Sequence, residues 1–362
     1  MENPLGQGLR ELPGPLLLTG HTGFKGTWMT FLLEHLNVPV IGYALPAEED
    51  SLYARSIRTG SITEVFGDIR DYRKLEHFID QSKPSVIVHM AAQPLVLKSY
   101  DSPLETFDVN VMGTANLLDI AFKRDYIKTI LVVTTDKVYR NDNMGNPFSE
   151  NDPLEGKDPY SASKVGTEAV VKAWQQIAST TGGPRVVSVR AGNVIGGGDY
   201  ALDRIIPDII RGIRSNEEVV IRNPKSFRPW QHVLDPLMGY IKALEKESSD
   251  AHFEKYNFGP VEYPINVSEV VQIAREVFPE AKFKIPDSSS AIEVHLEAKA
   301  LALDSSLARK ILDWEALLDQ QSSIRLTFEW WDKLFSTNTS AKELCKIEIQ
   351  TFLSAYQQRI HK

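Results

Sequence analysis

Tyr160 and Lys164 stand four residues apart in Tyr160-Ser161-Ala162-Ser163-Lys164. On a helix that spacing puts both side chains on one face, so an ammonium can favour the phenolate of a phenol whose ordinary pKa is near 10. Tyr160 is thereby a base for removing a hydroxyl proton while a hydride leaves the same carbon. Upstream, Thr134-Thr135-Asp136-Lys137 offers hydroxyl, carboxyl and amine in consecutive positions. Earlier still, Gly20, Gly23 and Gly26 recur at every third position of Thr19-Gly20-His21-Thr22-Gly23-Phe24-Lys25-Gly26. Lacking side chains, they let backbone N–H groups and the positive end of a helix approach a pyrophosphate. Lys25 either screens those phosphates or stays solvated.

These groups need a frame, and the chain alternates strand and helix to supply one. Short apolar runs at 16–19, 39–44, 85–91, 129–135 and 185–190 read as strands, and 26–36, 72–81, 103–122 and 161–179 as helices. Buried runs separated by helices indicate a doubly wound α/β fold, a parallel Rossmann-type sheet with both faces covered. Its ligand lies at the carboxyl ends of the strands. The glycine turn follows the first strand and opens a helix, the context that makes it a dinucleotide site. The second strand ends in Gly42-Tyr43-Ala44-Leu45-Pro46 without an acid or an arginine beside it. The absence of a cation before Arg55 to pair with a 2′-phosphate favours NAD over NADP without deciding the matter. Asp68 either faces the adenine or caps the helix that starts near Asp71.

After Gly192 the pattern loosens into helices near 203–215 and 232–246 with short extended pieces near 219–221 and 256–258. The expected division is a loose leader (1–14), a dinucleotide-binding domain (15–192), a smaller substrate lobe (193–335) with room for chain exchange between lobes, and a C-terminal helix (336–362). Arg222, Lys225 and Arg228 cluster in that lobe, and guanidinium forks grip phosphate bidentately. Arg204, Arg228 and His232 are therefore candidates for a diphosphate or a base. Trp330-Trp331 reads as core.

The bulk properties exclude several other classes. The 362 residues carry a net charge of −8 and are 42% hydrophobic, which describes a globular chain with no global attraction to nucleic acid or anionic lipid. Lone Cys345 rules out an internal disulfide framework, and the eight histidines form no metal-ligand pattern, so no metal is expected. No apolar run is long enough to span a membrane, and no signal-peptide core precedes Gly14, so a cytoplasmic protein is expected. Asn266-Val267-Ser268 and Asn338-Thr339-Ser340 then read as chance acceptor triplets.

The motifs resemble the extended short-chain dehydrogenase/reductase superfamily, and within it the nucleotide-sugar 4,6-dehydratases, those acting on CDP-glucose above all. The resemblance is carried by the glycine turn, His89-Met90-Ala91-Ala92-Gln93-Pro94-Leu95, Thr134 to Tyr139, Asp158 to Lys164, Arg190 to Asp199 and Arg222 to Val233. It implies NAD as cofactor, held also by Thr22, Phe24, Ile69, Ala91, Ala92 and Gln93, with Gln93 shared with the substrate. It implies that Thr135, or Thr134 in a shifted register, bonds the sugar O4, that Asp136 is the acid for the departing 6-hydroxyl, and that Lys137 is the base at C5. Lys137 acts as that base only when neutral, and otherwise pairs with Asp136. Asn193 contacts the sugar or the diphosphate, and the helices at 103–122 and 161–179 form a homodimer interface. Two alternatives stay open: a 4-epimerase or a dehydratase for dTDP-glucose, UDP-N-acetylglucosamine or GDP-mannose, and a catalytically silent nucleotide sensor.

Overall fold

The computed structural model describes residues 5–57, 60–142, 144–221, 223–246, 254–262, 264–285 and 301–360. Arg222 lies outside them. The first half of the chain runs α1 (Gln7–Arg10), β1 (Leu16–Thr19), α2 (Phe24–His35), β2 (Val40–Ala44), α3 (Leu52–Ser56), β3 (Thr63–Phe66), α4 (Tyr72–Ser82), β4 (Val86–His89), α5 (Val96–Asp101), α6 (Pro103–Phe107), α7 (Gly113–Phe122), β5 (Thr129–Val133), α8 (Pro159–Thr181) and β6 (Arg185–Ala191). The second half adds β7 (Val194–Ile195), α9 (Ile205–Ser215), β8 (Val219–Val220), β9 (Phe227–Arg228), β10 (Gln231–His232), α10 (Leu234–Glu245), β11 (Lys255–Phe258), β12 (Ile265–Asn266), α11 (Val267–Val277), β13 (Phe283–Lys284), α12 (Ser306–Leu312), α13 (Gln320–Ser336) and α14 (Ala341–Ile360).

Seven strands form one parallel sheet in the order β11-β6-β5-β4-β1-β2-β3. The strand order reverses between β1 and β4, and an open sheet of this kind binds its ligand at the carboxyl ends beside such a reversal. Both the glycine turn after β1 and the Met90–Gln93 loop after β4 emerge there. The doubly wound architecture read from the alternation is the architecture found.

Local signals set the helix that matters most for the site. Asp158 and Ser161 form a reciprocal capping box with Pro159 in the first turn, which pins the start of α8 one residue before Tyr160. The helix read over 103–122 is present, but a π-turn at Asp108–Met112 separates α6 from α7. Asn266, in one of the acceptor triplets, caps α11 in a second capping box with Glu269.

One expectation about organisation is corrected. The leader is not loose over its described part: Leu9 is buried, Gly8 N–H donates to Glu245 of α10, and Arg10 holds the Leu36 carbonyl. Beyond residue 192, β11 pairs in register with β6. One apolar cluster carries Leu16, Trp28 and Val187 together with Leu237, Trp314 and Phe352, so both sides of the boundary share a core. The four residues of β11 are too few for periodicity to reveal which sheet they join. The C-terminal helix α14 contributes Leu344, Ile349 and Phe352 to that same core and lies against α2 and α3.

Candidate active site

The glycine turn meets the requirements of a dinucleotide cradle. Gly20 has φ +74, and a Cβ there would stand 2.7 Å from Ala91 N; one on Gly26 would stand 2.2 Å from the Gly20 carbonyl. Only glycine fits either place. α2 starts at Phe24 with no side-chain cap, leaving the N–H groups of its first turn directed at the strand ends. Thr22 donates to the Leu45 carbonyl and fixes the lip of the turn. Lys25 leans inward over the Tyr240 ring at 5.8 Å, and burial together with the charges of Arg204 and Lys164 pushes its pKa down to about 8. A diphosphate is the partner such a cation lacks, so these residues fit NAD.

Of the two readings of Asp68, the helix cap is corrected. The Asp68 carboxylate is bound by the Arg70 backbone N–H and guanidinium, at 2.8 and 2.6 Å, and Asp71 supplies the cap of α4. Beside it Ile69 is buried. The turn itself is anchored from β3, where Glu64 accepts from His21 Nε2 at 2.8 Å and from the Tyr53 hydroxyl. His21 is fully buried, and burial lowers its pKa despite Glu64.

Ala91, Ala92 and Gln93 lie on the loop after β4. The Gln93 amide is committed to that loop: its nitrogen donates to the Leu95 carbonyl and Thr106 Oγ1, and its oxygen accepts from Leu95 N–H. Its side chain therefore shapes the loop instead of reaching a ligand. Sequence reasoning missed Asn110, which sits in the π-turn, bridges both backbone groups of Gln93 and donates to Ser163 on α8 at 2.9 Å. Nothing in its neighbourhood in sequence marks it.

At the ends of β5 and β6 the reactive groups converge. Thr135 donates to Asp136 Oδ1 at 3.0 Å and is also in hydrogen-bonding reach of Tyr160. Thr134 points the other way, donating to Glu168 at 2.6 Å, as alternation along an extended chain requires. The register alternative is thereby closed. Asp136 is fully enclosed, its Oδ2 has no partner, and burial raises its pKa against the pull of Lys137, Thr135 and Arg228. A carboxyl in that setting tends to keep its proton. Lys137 is half-buried in the turn at Asp136–Val138.

Burial pushes the Tyr160 phenol up to about 12, while Thr135 and the positive charge of Arg204 pull it down. Lys164 is buried too, held near 8, and donates to the Val133 carbonyl at 3.3 Å. Arg204, which is paired to Asp199 at 2.9 Å, is a further positive charge acting on Tyr160. Arg204 stands at the start of α9, and only the tertiary fold brings its charge to bear on Tyr160 of α8.

Gly192 closes the site. A Cβ there would lie 1.7 Å from Asp136 Oδ2, so glycine is what lets the carboxyl stand where it does. Gly192→Ala is expected to lower turnover about 100-fold, the scale of a misplaced general acid, while the protein stays folded; steady-state kinetics beside a thermal melt checks it. Asn193 follows with φ +44 and accepts from Gln231 N–H at 3.2 Å. Arg228, on β9, projects its charge toward Asp136, whereas Lys225 is exposed.

His232 does not belong to the site. His232, like Gln231 beside it on β10, is buried in the core. There it meets the edge of Trp28 and lies 2.5 Å from Glu348 of α14. The basic run around it suggested an anion site; the position of α14 decided otherwise.

The sequence profile described as the NAD dependent epimerase/dehydratase family matches residues 16–259. A CDP-glucose 4,6-dehydratase of Salmonella typhimurium is 38% identical over 94% of this chain and 96% of its own length. A UDP-glucose 4-epimerase of Lacticaseibacillus casei is 29% identical over 73% of this chain and 82% of its own. Among solved structures, a dTDP-glucose 4,6-dehydratase from Streptomyces venezuelae, determined with NAD and TYD bound, superposes with a TM-score of 0.72 at 21% identity, covering 90% of this chain and 99% of the other.

Proposed function

Because the chain belongs to the NAD dependent epimerase/dehydratase family, we propose that it is a nucleotide-sugar 4,6-dehydratase that converts CDP-glucose to its 4-keto-6-deoxy product. The observation that carries this reading is the Asp136 carboxyl, enclosed and with an unpartnered oxygen, beside Thr135, Lys137 and Tyr160. An epimerase has no need of an acid at O6 or a base at C5.

NAD, held by the backbone around Gly20, Gly23 and Gly26 with Lys25 near its phosphates, supplies when bound a reversible two-electron store, so the reaction consumes no external oxidant. Tyr160 takes the O4 proton as C4 becomes a ketone, with Thr135 bonding that oxygen. The ketone acidifies the C5 hydrogen, which Lys137 removes. Asp136 then gives its proton to O6, the C6–O6 bond breaks and water departs to leave a C5=C6 double bond, which becomes the C6 methyl when the two stored electrons return to C6 as hydride and a proton returns to C5. The raised pKa of Asp136 suits a group that must arrive protonated, and its burial beside Thr135 and Gly192 keeps bulk water from it. Lys164 and Arg204 hold positive charge near the developing anion at O4. Arg204, Arg228 and Asn193 lie on the substrate side and bind the diphosphate and sugar.

A homodimer goes with this reading. Leu97, Tyr100, Leu104, Phe107, Met112 and Ile177, from α5 to α8, are large apolar side chains left exposed, Leu104 by 86%, and a second copy is the cover they call for. Light scattering reads the mass. None of the described helices is long and apolar enough to cross a membrane, which agrees with a cytoplasmic location.

Proton NMR in D2O, with NAD and in turn CDP-glucose, dTDP-glucose, UDP-N-acetylglucosamine and GDP-mannose, tests the function. A new C6 methyl signal with deuterium at C5 from CDP-glucose is the expected result. The same signals from another nucleotide alone would change the substrate. Inversion at C4 with the 6-hydroxyl retained would replace the reading with an epimerase.

A further inference from the structure

Tyr160, Lys164 and Glu168 are spaced four residues apart along α8, so they line one face of the helix over two turns. The first two belong to the reaction proposed above, but the third does not touch the space a sugar would occupy. Its carboxylate is buried and takes four hydrogen bonds from the sheet: Thr134 Oγ1 at 2.6 Å, Ser188 Oγ at 2.9 Å, and Arg190 Nε and Nη2 at 2.7 and 2.8 Å. These donors lie immediately after β5 and within β6. Arg190 is itself held through Tyr139, whose hydroxyl it meets at 2.7 Å and which donates to Asn257 of β11. A buried bidentate pair seldom adds net stability over apolar packing of equal volume, so stability alone is a weak reason for its presence.

What the pair joins is more informative. The base Tyr160 and Lys164 ride on α8, whereas Thr135 and Asp136 ride on the end of β5. Thr134 is the residue next to Thr135, and binding its hydroxyl turns the Thr135 side chain to the opposite side, toward Tyr160. We infer that Glu168 is a positioning residue for 4-oxidation: it clasps the strand end to the helix, fixing Thr135 against Tyr160, and places a negative charge one turn behind Lys164. This inference rests on the dehydratase reading for its consequence in turnover, though not for the state of Lys164.

The charged and titratable groups around Lys164 are Tyr160 and Glu168 on its own helix, His89 at the end of β4 and Lys25 on α2. His89, wedged between Thr19 and Thr114 at 2.7 and 3.0 Å, is pushed down to about 3 by burial and by Lys164, so it stays neutral. Lys25 opposes the Lys164 ammonium, and Glu168 is the group that supports it.

The test compares the holoenzyme with Glu168→Gln and with Glu168→Gln/Arg190→Met. In the single variant kcat should fall about 10–100-fold with KM little changed, the scale of a misaligned site. The alkaline limb of the kcat profile should also move toward neutrality by about one pH unit, since loss of an adjacent opposite charge makes the ammonium easier to deprotonate. The double variant, which removes both charges, should return the limb toward its original position. A purely structural role would lower the melting temperature and leave the limb in place, and that result would overturn the inference. The ε-carbon titration of Lys164, read by NMR on 13C-lysine-labelled protein and assigned with Lys164→Arg, is independent of turnover. Were the parent enzyme inactive on every nucleotide sugar, the functional reading would fall, while an identical Lys164 midpoint in parent and Glu168→Gln would sink the positioning role. If Glu168→Gln does not fold, Thr134→Val/Ser188→Ala removes two of the four bonds and keeps the ion pair. A kcat within about two-fold of the parent would then overturn the clasp, because a misplacement of about 1 Å costs far more.

Discussion

Tyr160→Phe is expected to abolish oxidation at C4, lowering turnover by about 10³-fold, within the range for loss of a positioned general base. The variant removes one oxygen from a side chain that is otherwise packed, so the fold and the capping box at Asp158 remain. What disappears is the acceptor for the O4 proton. The phenol is buried and pushed up to about 12, so the free site does not hold a standing phenolate at neutral pH. Its proton must leave under the influence of Thr135, Arg204 and the bound ligands, and activity should rise with pH on the acid side of the profile. Proton NMR of the reaction in D2O reads the outcome directly. No 4-ketone and no deuterium at C5 is the expected spectrum; unchanged turnover would remove Tyr160 from the mechanism and leave Thr135 without a partner for O4.

Asp136→Asn is expected to separate the first half of the reaction from the second. Oxidation at C4 and exchange of the C5 hydrogen should persist, because Tyr160 and Lys137 are intact. Loss of the 6-hydroxyl should slow by about 10³-fold, since an amide has no proton to give to the leaving oxygen. In D2O the product is then a 4-ketone labelled at C5 and lacking the C6 methyl. The pH dependence has a definite sign. Burial raises the Asp136 pKa, so the acid form is populated at higher pH than for an exposed carboxyl, and dehydration should fail as pH rises through that raised value. An Asp136→Asn enzyme that forms the C6 methyl at the parent rate would show that another group protonates O6.

The two predictions differ in how much of their basis the sequence contained. The partnership of Tyr160 with the helix, the glycine cradle before α2, and the proximity of Thr135, Asp136 and Lys137 all follow from spacing along single elements. Periodicity 3.6 on α8 and close approach at Gly20 and Gly26 are local constraints, and local constraints are legible in one dimension. The raised pKa of Asp136 is not of that kind. It comes from burial, and Gly192, 56 positions away and just after β6, leaves room for the buried carboxyl only because it has no side chain.

The same distinction explains where sequence and structure differ. His232 stands in a basic run that makes it a candidate for a diphosphate or a base, yet the fold buries it in the core beside Glu348 of α14. Gln93 stood in a motif loop and was read as a contact; Thr106 and Leu95 engage its amide first. Arg204, a candidate for a diphosphate or a base from its sequence, also has its charge brought to bear on Tyr160 by the fold. Glu168 continued the four-residue spacing of Tyr160 and Lys164 and was passed over, although the spacing alone placed it on their face.

By itself the sequence determined the doubly wound sheet, the dinucleotide turn, and which residue types stand at the strand ends, because each is set by periodicity, glycine and short-range spacing. The tertiary structure decided which of those residues share a space, which carboxyl is buried with its pKa raised and which distant charges reach the tyrosine. Burial and charge depend on distances between residues far apart in the chain, and those distances exist only once β5, β6 and α8 have packed together.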